Sequence, residues 1–311
     1  MKSYTEGRTL YGTLTKNTAT ANLSLGDQIA SDDHRAICAA KDWPFLERLR
    51  TLTTKASAEF YALPHDCDQV RSVAVIVSSI RHTPRQAPDR AFWDRLNTSS
   101  ITSDTPEYWF AFDGELGLWP KPVSAGNTIN VTQKTRAIDL NVADYTTGHI
   151  VTTSTTDAVT TLTGGGSTVW TAQMVGRWLR ITYADDEKTG DGVWYEIASV
   201  PSGTSLTLVR TYGGTALATA TAAYTIGQMP LLPEAYHDLP WLFASGQYWT
   251  KEADKRGPVF LAQHGSFGEN GGLPTGRIAE LVKSWSSPTG DMVVDDGEDR
   301  ESINPNLTIT I

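Results

Sequence analysis

The chain has 311 residues, 40% of them hydrophobic, enough for one large domain or two ordinary ones with a real core. Its net charge of −9, with no cluster of Lys and Arg, argues against a protein that grips duplex DNA through its phosphates. No apolar run approaches the roughly 18 residues of a membrane helix, and MKSYTEGRTL lacks the apolar stretch of a signal peptide, so a cytoplasmic product with no membrane role is expected.

Residues 1–22 are rich in Thr, Asn and Ala with weak periodicity, which reads as an extended arm. A helix is predicted from an N-cap at Ser24 to about Lys41, with Leu25, Ile29, Ala30, Ile37 and Cys38 close to helical spacing and Asp27 in the first turn. Trp43 and Pro44 mark its exit. AEFYALP predicts a strand ending at Pro64. VRSVAVIVSS predicts a second, apolar on both faces and therefore covered on both. PDRAFWDRLN (88–97) predicts a short helix with Pro88 in its first turn and Phe92 and Leu96 on one face. Asp113-Gly114, between the apolar stretches of EYWFAFDGELGLW, is the strongest hairpin signal in the chain. A further strand is predicted at about 127–135.

Composition shifts near Tyr145. From Thr146 to Gly227 the chain is rich in Thr, Gly, Val and Ala. It alternates at Val175, Leu179, Ile181 and Tyr183, at Val193, Tyr195 and Ile197, and at Leu206 and Leu208. Breaks are expected at Gly164–Gly166, Gly190–Gly192 and Gly213-Gly214, the pattern of a small all-β module. Helix returns after Pro233, in EAYHDLPWLFASGQYW and KEADKRGPVFLAQ, with Pro240 either kinking the first or lying in its first turn. These segments are expected to pack on the helix at 24–41 as an antiparallel bundle. GSFGENGG (265–272) interrupts, and a last helix at about 275–285 carries Ile278, Leu281 and Val282 on one face. Beyond it lies an acidic stretch with Asp291, Asp295, Asp296, Glu298, Asp299 and Glu301 against Arg300 alone, then NLTITI, in which Leu307, Ile309 and Ile311 alternate with Thr308 and Thr310. Two readings stand for this tail: a solvated end, or a docking segment in which Asp295, Asp296, Glu298 and Asp299 meet basic groups and Leu307, Ile309 and Ile311 join another subunit's sheet edge.

The expected class is α+β: a helical bundle core with a β region, residues 1–145 and 229–285, an inserted small all-β module, sandwich- or barrel-like, at 146–228, and an extended acidic tail at 286–311.

Candidate chemistry is sparse. Two cysteines, Cys38 and Cys67, are too few for a disulfide framework, and Cys38 reads as a buried helical residue. His65-Asp66-Cys67-Asp68 has metal-ligand composition, yet four successive residues on a strand or loop point apart, so no metal is expected. None of His34, His65, His82, His149, His237 and His264 falls in an HExxH spacing, and no GxSxG elbow or Walker loop is present. The acid pairs Asp32-Asp33 and Asp185-Asp186 read as solvated surface. Neither catalytic residues nor cofactors are expected. Ten tryptophans fit core and interface packing, with an aromatic platform for sugars as the alternative.

Four short motifs occur in order. Glu59-Phe60-Tyr61-Ala62-Leu63-Pro64-His65-Asp66 matches a Y-x-L-P-x-D pattern. Pro106-Glu107-Tyr108-Trp109 matches P-x-Y-aromatic. Leu118-Trp119-Pro120-Lys121-Pro122 matches L-aromatic-P-x-P, and Leu232-Pro233-Glu234-Ala235-Tyr236 matches L-P-E-x-Y. As an ordered set, over about residues 1–145 and 229–264, they resemble the head–tail connector (adaptor) proteins of tailed bacteriophages, tubular-adaptor type. The resemblance implies a non-enzymatic virion protein of the neck, assembled in the host cytoplasm. It implies a homo-oligomeric ring, a dodecamer of about twelve copies. The implied partners are the portal protein and the tail or nozzle proteins, with genomic DNA passing through unbound. A negative conduit suits that passage, since it repels phosphate. The rivals are a carbohydrate-binding tail or receptor-recognition protein, which requires aromatic rings exposed on one face of 146–228, and a cell-envelope hydrolase, which requires a cleft with a perturbed carboxylate or histidine.

Overall fold

The computed structural model describes residues 1–99, 101–153, 161–181, 191–214, 222–268 and 273–285; the acidic run and NLTITI lie outside them. The chain is α+β, with six helices and three mostly antiparallel sheets among the described residues.

The N-terminal segment is helical, not an extended arm. Helix α1 (Tyr4–Thr15) starts from a capping box in which Ser3 accepts from the Glu6 amide and Glu6 accepts from the Ser3 amide. Such a cap stabilises a helix by roughly 1 kcal/mol. Ser3-x-x-Glu6 is legible in the sequence, but the small polar residues around it mask the helical period. Helix α2 (Thr20–Ala40) begins five residues before the expected start, with Ala19 at the N-cap and Ser24 inside. The indole N–H of Trp43 donates to the Ile37 carbonyl at 2.7 Å and closes its last turn.

Residues 47–135 form a two-sheet sandwich. The strands are β1 (Glu47–Thr53), β2 (Phe60–Ala62), β3 (Cys67–Val77), β4 (Ile80–His82) and β5 (Arg85–Gln86), then, after helix α3 (Arg90–Leu96), β6 (Tyr108–Phe112), β7 (Glu115–Trp119) and β8 (Thr128–Thr135). The sheet orders are β1-β8-β3-β4 and β2-β7-β6-β5. Val73, Val75, Ile129 and Val131 of one sheet meet Tyr61, Trp109, Leu116 and Leu118 of the other. The β6–β7 hairpin turns at Asp113-Gly114 as expected, both at positive φ (47° and 75°). Helix α3 is capped by Asp89, so Pro88 precedes the helix, and its buried residue is Trp93, not Phe92 or Leu96. Trp93 covers the outer face of the second sheet, stacked on Phe110. A side chain at Gly117 would strike the indole, with Cβ 2.5 Å from Cζ2.

Residues 145–227 close on themselves. Strands β9 (His149–Thr153), β10 (Thr161–Gly165), β11 (Trp178–Ile181), β12 (Trp194–Ser202), β13 (Ser205–Leu208) and β14 (Tyr224–Gly227) pair in the order β14-β11-β12-β13-β10-β9. Reciprocal backbone bonds between Ile150 and Ala222 and between Tyr145 and Ile226 return the last strand to the first, giving a six-stranded barrel. The alternation at Leu179/Ile181, Tyr195/Ile197 and Leu206/Leu208 fills its interior. Val175 and Val193 lie outside the strands and are exposed, because each belongs to a connection. Gly164 and Gly165 are part of β10, not a break. They are glycines because Thr168 and His149 crowd the space a Cβ would need.

The chain returns to helix with α4 (Leu239–Lys251), α5 (Arg256–His264) and α6 (Gly276–Trp285), after a 3₁₀ turn at Glu234–Tyr236. Pro240 sits in the first turn of α4. The break between the two helical segments falls at Ala253, at φ 53°, between α4 and α5, while Gly257 and Pro258 lie in the first turn of α5. Helix α4 packs against α1, α2 and α5, and Tyr4, Tyr11, Ala30, Trp241 and Ala244 are buried between them. A second cluster joins Ile37, Trp43, Leu46 and Leu239 to Ile278 and Leu281 of α6.

Candidate functional site

Three places gather polar side chains. The first is the junction of barrel and helices. Arg180 of β11 donates to Glu6 at 3.0 Å and lies over the Trp194 ring, 4.4 Å from its centroid. The Gln228 side chain accepts from the Asn141 and Val142 amides and donates to the Asp139 carbonyl, while the Tyr4 amide donates to the Gln228 carbonyl. Ser3 donates to Asp144 at 2.7 Å, and burial raises the Asp144 carboxyl above its ordinary value. These groups hold α1, the barrel exits and β11 together.

The second is an open cleft of about 310 Å³ between α2 and residues 139–141. Asp27, Asp32 and Arg35 line it from α2, and Asp139 lines it from the opposite side. Arg35 bridges Asp32 and Asp139, and Asp27 pairs with Arg8 at 3.0 Å. Burial pushes Asp27 upward, and Arg8 pulls it down. Each charge is matched inside the fold, so the cleft offers no isolated acid or base.

The third is a set of buried histidines in the helical unit. His34 accepts from the Leu231 amide at Nε2 (2.9 Å), and burial lowers its pKa to about 4. His237, also lowered by burial, sits between the Lys2 backbone and the Leu232 carbonyl. His264 Nε2 lies 3.1 Å from Asp33 Oδ2 and Nδ1 lies 2.8 Å from the Gly265 carbonyl. The Asp32-Asp33 pair is thus not uniformly solvated. Asp32 is on the surface, whereas Asp33 faces inward one helical step on, its carboxyl raised by burial and lowered by His264. A lone acid in a polar stretch of helix carries no sequence sign that its partner lies 231 residues away.

The HDCD residues diverge. Both Asp66 oxygens are engaged, by Arg50 at 3.1 Å and Gln133 at 3.3 Å. Cys67 enters β3, His65 is exposed, and Asp68 lies 4.0 Å from Lys134. Burial pushes the Cys38 thiol up to about 12 and raises that of Cys67. In the barrel, Trp170, Trp194, Tyr195, Tyr212 and Tyr224 are buried, and Trp178 is half-buried. The candidate docking residues Asp295, Asp296, Glu298, Asp299, Leu307, Ile309 and Ile311 lie outside the described residues, as do Tyr183 and Asp185-Asp186.

No family model matches the chain, and no curated protein matches it.

Proposed function

We propose that this protein is a structural adaptor of a phage neck, a ring that docks on the portal, joins it to the tail and lines the DNA exit channel. The observation that carries this reading is the ordered set of four motifs and the use the fold makes of them. Three of the segments are hydrogen-bonded neighbours in one sheet. The Glu107 amide donates to the Trp119 carbonyl at 2.8 Å, Leu118 to Glu59 at 3.0 Å, and Leu63 to the hairpin at Gly114 at 2.8 Å. The fourth, Leu232–Tyr236, forms the turn that opens α4 and buries Leu232 and Tyr236. Motifs scattered between Glu59 and Tyr236 are the kind of pattern a shared scaffold leaves.

A structural rather than catalytic role is supported by the occupation of the buried titratable groups. His34, His237, Asp33 with His264, and Asp66 are each tied to backbone or to a counter-charge in the fold. The net charge of −9 per copy, repeated round a ring, suits a passage through which nucleic acid slides. The carbohydrate-binding alternative needs exposed rings on the barrel, and the aromatic residues described there are turned inward or half-covered.

The test is to mix purified protein with portal rings and measure the mass of the complex, with negative-stain images of the same sample. A closed ring seated coaxially on the portal, at a stoichiometry near the portal's own, is expected. One copy per portal ring, or no complex, refutes the adaptor.

A further inference from the structure

Among the described residues, strand β1 presents the one unbroken sheet edge longer than three residues that lacks a partner; the free edge of β3 over residues 67–74 is interrupted by two register shifts. The barrel is closed, β2 and β4 have three residues each, and β5 has two. β1 pairs with β8 over seven residues with no register shift, so its other edge is straight. The alternation of the ladder follows from Thr54, whose amide donates to Asn127 at 2.8 Å. Counting back in steps of two, Leu52, Arg50 and Arg48 bond to β8, while the amides and carbonyls of Leu49, Thr51 and Thr53 point outward. Leu49 is 64% exposed. None of the outward-facing residues is a Lys or Pro and no bulge breaks the strand, so two of the usual protections of an open edge are missing; the charges that β1 carries are Glu47, Arg48 and Arg50, the last held by Asp66 at 3.1 Å, and Leu49, Thr51 and Thr53 are uncharged.

The segment Asn306–Ile311 has the complementary pattern: six residues with a strict two-residue alternation of Leu/Ile and Thr. The last described residue before it, Trp285, lies beside β1. Trp285, at the end of α6, makes an edge-to-face contact with Phe45 at 5.5 Å, and Phe45 is two residues before the start of β1. From there, Ser286 to Pro305 is about twenty residues, a reach of roughly 65 Å when extended. A folded unit of this size is about 50 Å across. The linker is therefore much longer than its own β1 requires and long enough to cross to a neighbour.

We infer that Asn306–Ile311 of one copy adds as an extra strand to the open edge of β1 in the next copy. Backbone bonds from Leu49, Thr51 and Thr53 supply affinity, and the alternating Leu/Ile side chains set the register. A tail-to-edge contact of this kind is heterologous: every copy offers one tail and one edge, and repetition builds a ring. This rests on the adaptor reading only for the ring's place in the virion; the contact itself needs no portal.

Two variants of the full chain test it. Thr51→Pro removes an outward amide and disables the edge; it leaves the backbone bonds to β8 in place and gives up the long bond from the Thr51 hydroxyl to Asn130 at 3.4 Å. Ile309→Asp disables the tail and leaves the edge. Analytical ultracentrifugation of the wild-type protein is expected to show head-to-tail self-association, weakened at least tenfold in each variant alone. An equimolar mixture is expected to form a two-chain complex that goes no further, because one chain supplies the only working tail and the other the only working edge. Leu49→Lys serves as the edge variant if Thr51→Pro melts more than a few degrees below wild type. Absence of wild-type self-association, association that survives both substitutions, or failure of the mixture to pair overturns the inference. Portal binding without any effect of these variants defeats this contact and leaves the adaptor standing; self-association without portal binding does the reverse.

Discussion

The Trp241 indole occupies the space where a side chain at Gly7 would stand: a Cβ there would lie 2.5 Å from Cε2 and 2.6 Å from Cδ1 of a ring that is fully buried. Helix α1 approaches α4 this closely only because residue 7 has no side chain. Gly7→Ala would gain about 1 kcal/mol in helix propensity. It would lose more by driving α1 off α4, since the ring has no free volume to enter. A net loss of about 2 kcal/mol or more is expected in urea unfolding. An unchanged or raised midpoint would show that α1 is not seated on Trp241.

The barrel enters and leaves the chain at one point, where Tyr145 and Ile226 exchange two backbone bonds of 2.9 Å. Its core is made entirely from residues between these positions. Replacing 147–227 by a short Gly/Ser linker is therefore expected to leave a helical protein that still unfolds cooperatively. The cost is the loss of Arg180–Glu6 and Arg50–Glu196, partly exposed pairs of small individual worth. Circular dichroism through a thermal melt checks this, and a non-cooperative melt counts against it.

Asp33 and His264 are both more than nine-tenths buried and 231 residues apart, and they tie α2 to α5. Removing one leaves the other buried without its hydrogen-bond partner, which costs about 1–3 kcal/mol. Asp33→Leu and His264→Leu are each expected to lose that much, and the double variant less than the sum. Additive losses in the double-mutant cycle would mean the pair is not coupled.

The pH dependence of stability follows from His34. Burial moves its pKa from 6.5 to about 4 in the fold. Above pH 6.5 the ring is neutral folded or unfolded. Between there and about 4, the unfolded chain takes up a proton that the native state refuses, so stability falls as pH drops through that window, by about 3 kcal/mol at its lower end. His237, also lowered by burial, adds to the slope with the same sign. Asp33, raised by burial, opposes it, since its native carboxyl holds a proton the unfolded one has shed. His34→Gln keeps an acceptor for the Leu231 amide and removes the titration. Unfolding midpoints between pH 4 and 7 should then be flatter than in wild type, and an identical slope would rule His34 out as the source.

Local signals in the chain were enough for the elements whose partners are near in sequence. The Asp113-Gly114 hairpin, the 127–135 strand and the alternation inside the barrel were legible because a two-residue period or a left-handed turn is written in adjacent side chains. The last helix was legible from Ile278 and Leu281 for the same reason.

Tertiary structure decided the rest. Residues 4–15 are a helix because Gly7, Tyr4 and Tyr11 fit against α2 and α4, a fit that composition cannot express. Whether 146–228 forms a sandwich or a barrel depended on two backbone pairings, Ile150 with Ala222 and Tyr145 with Ile226, between residues about 70 to 80 apart that carry no charge or pattern linking them. Asp32 and Asp33 are neighbours of identical chemistry. One meets solvent and Arg35 and the other meets His264, because a helix turns 100° per residue and only the packed fold determines which side is inside.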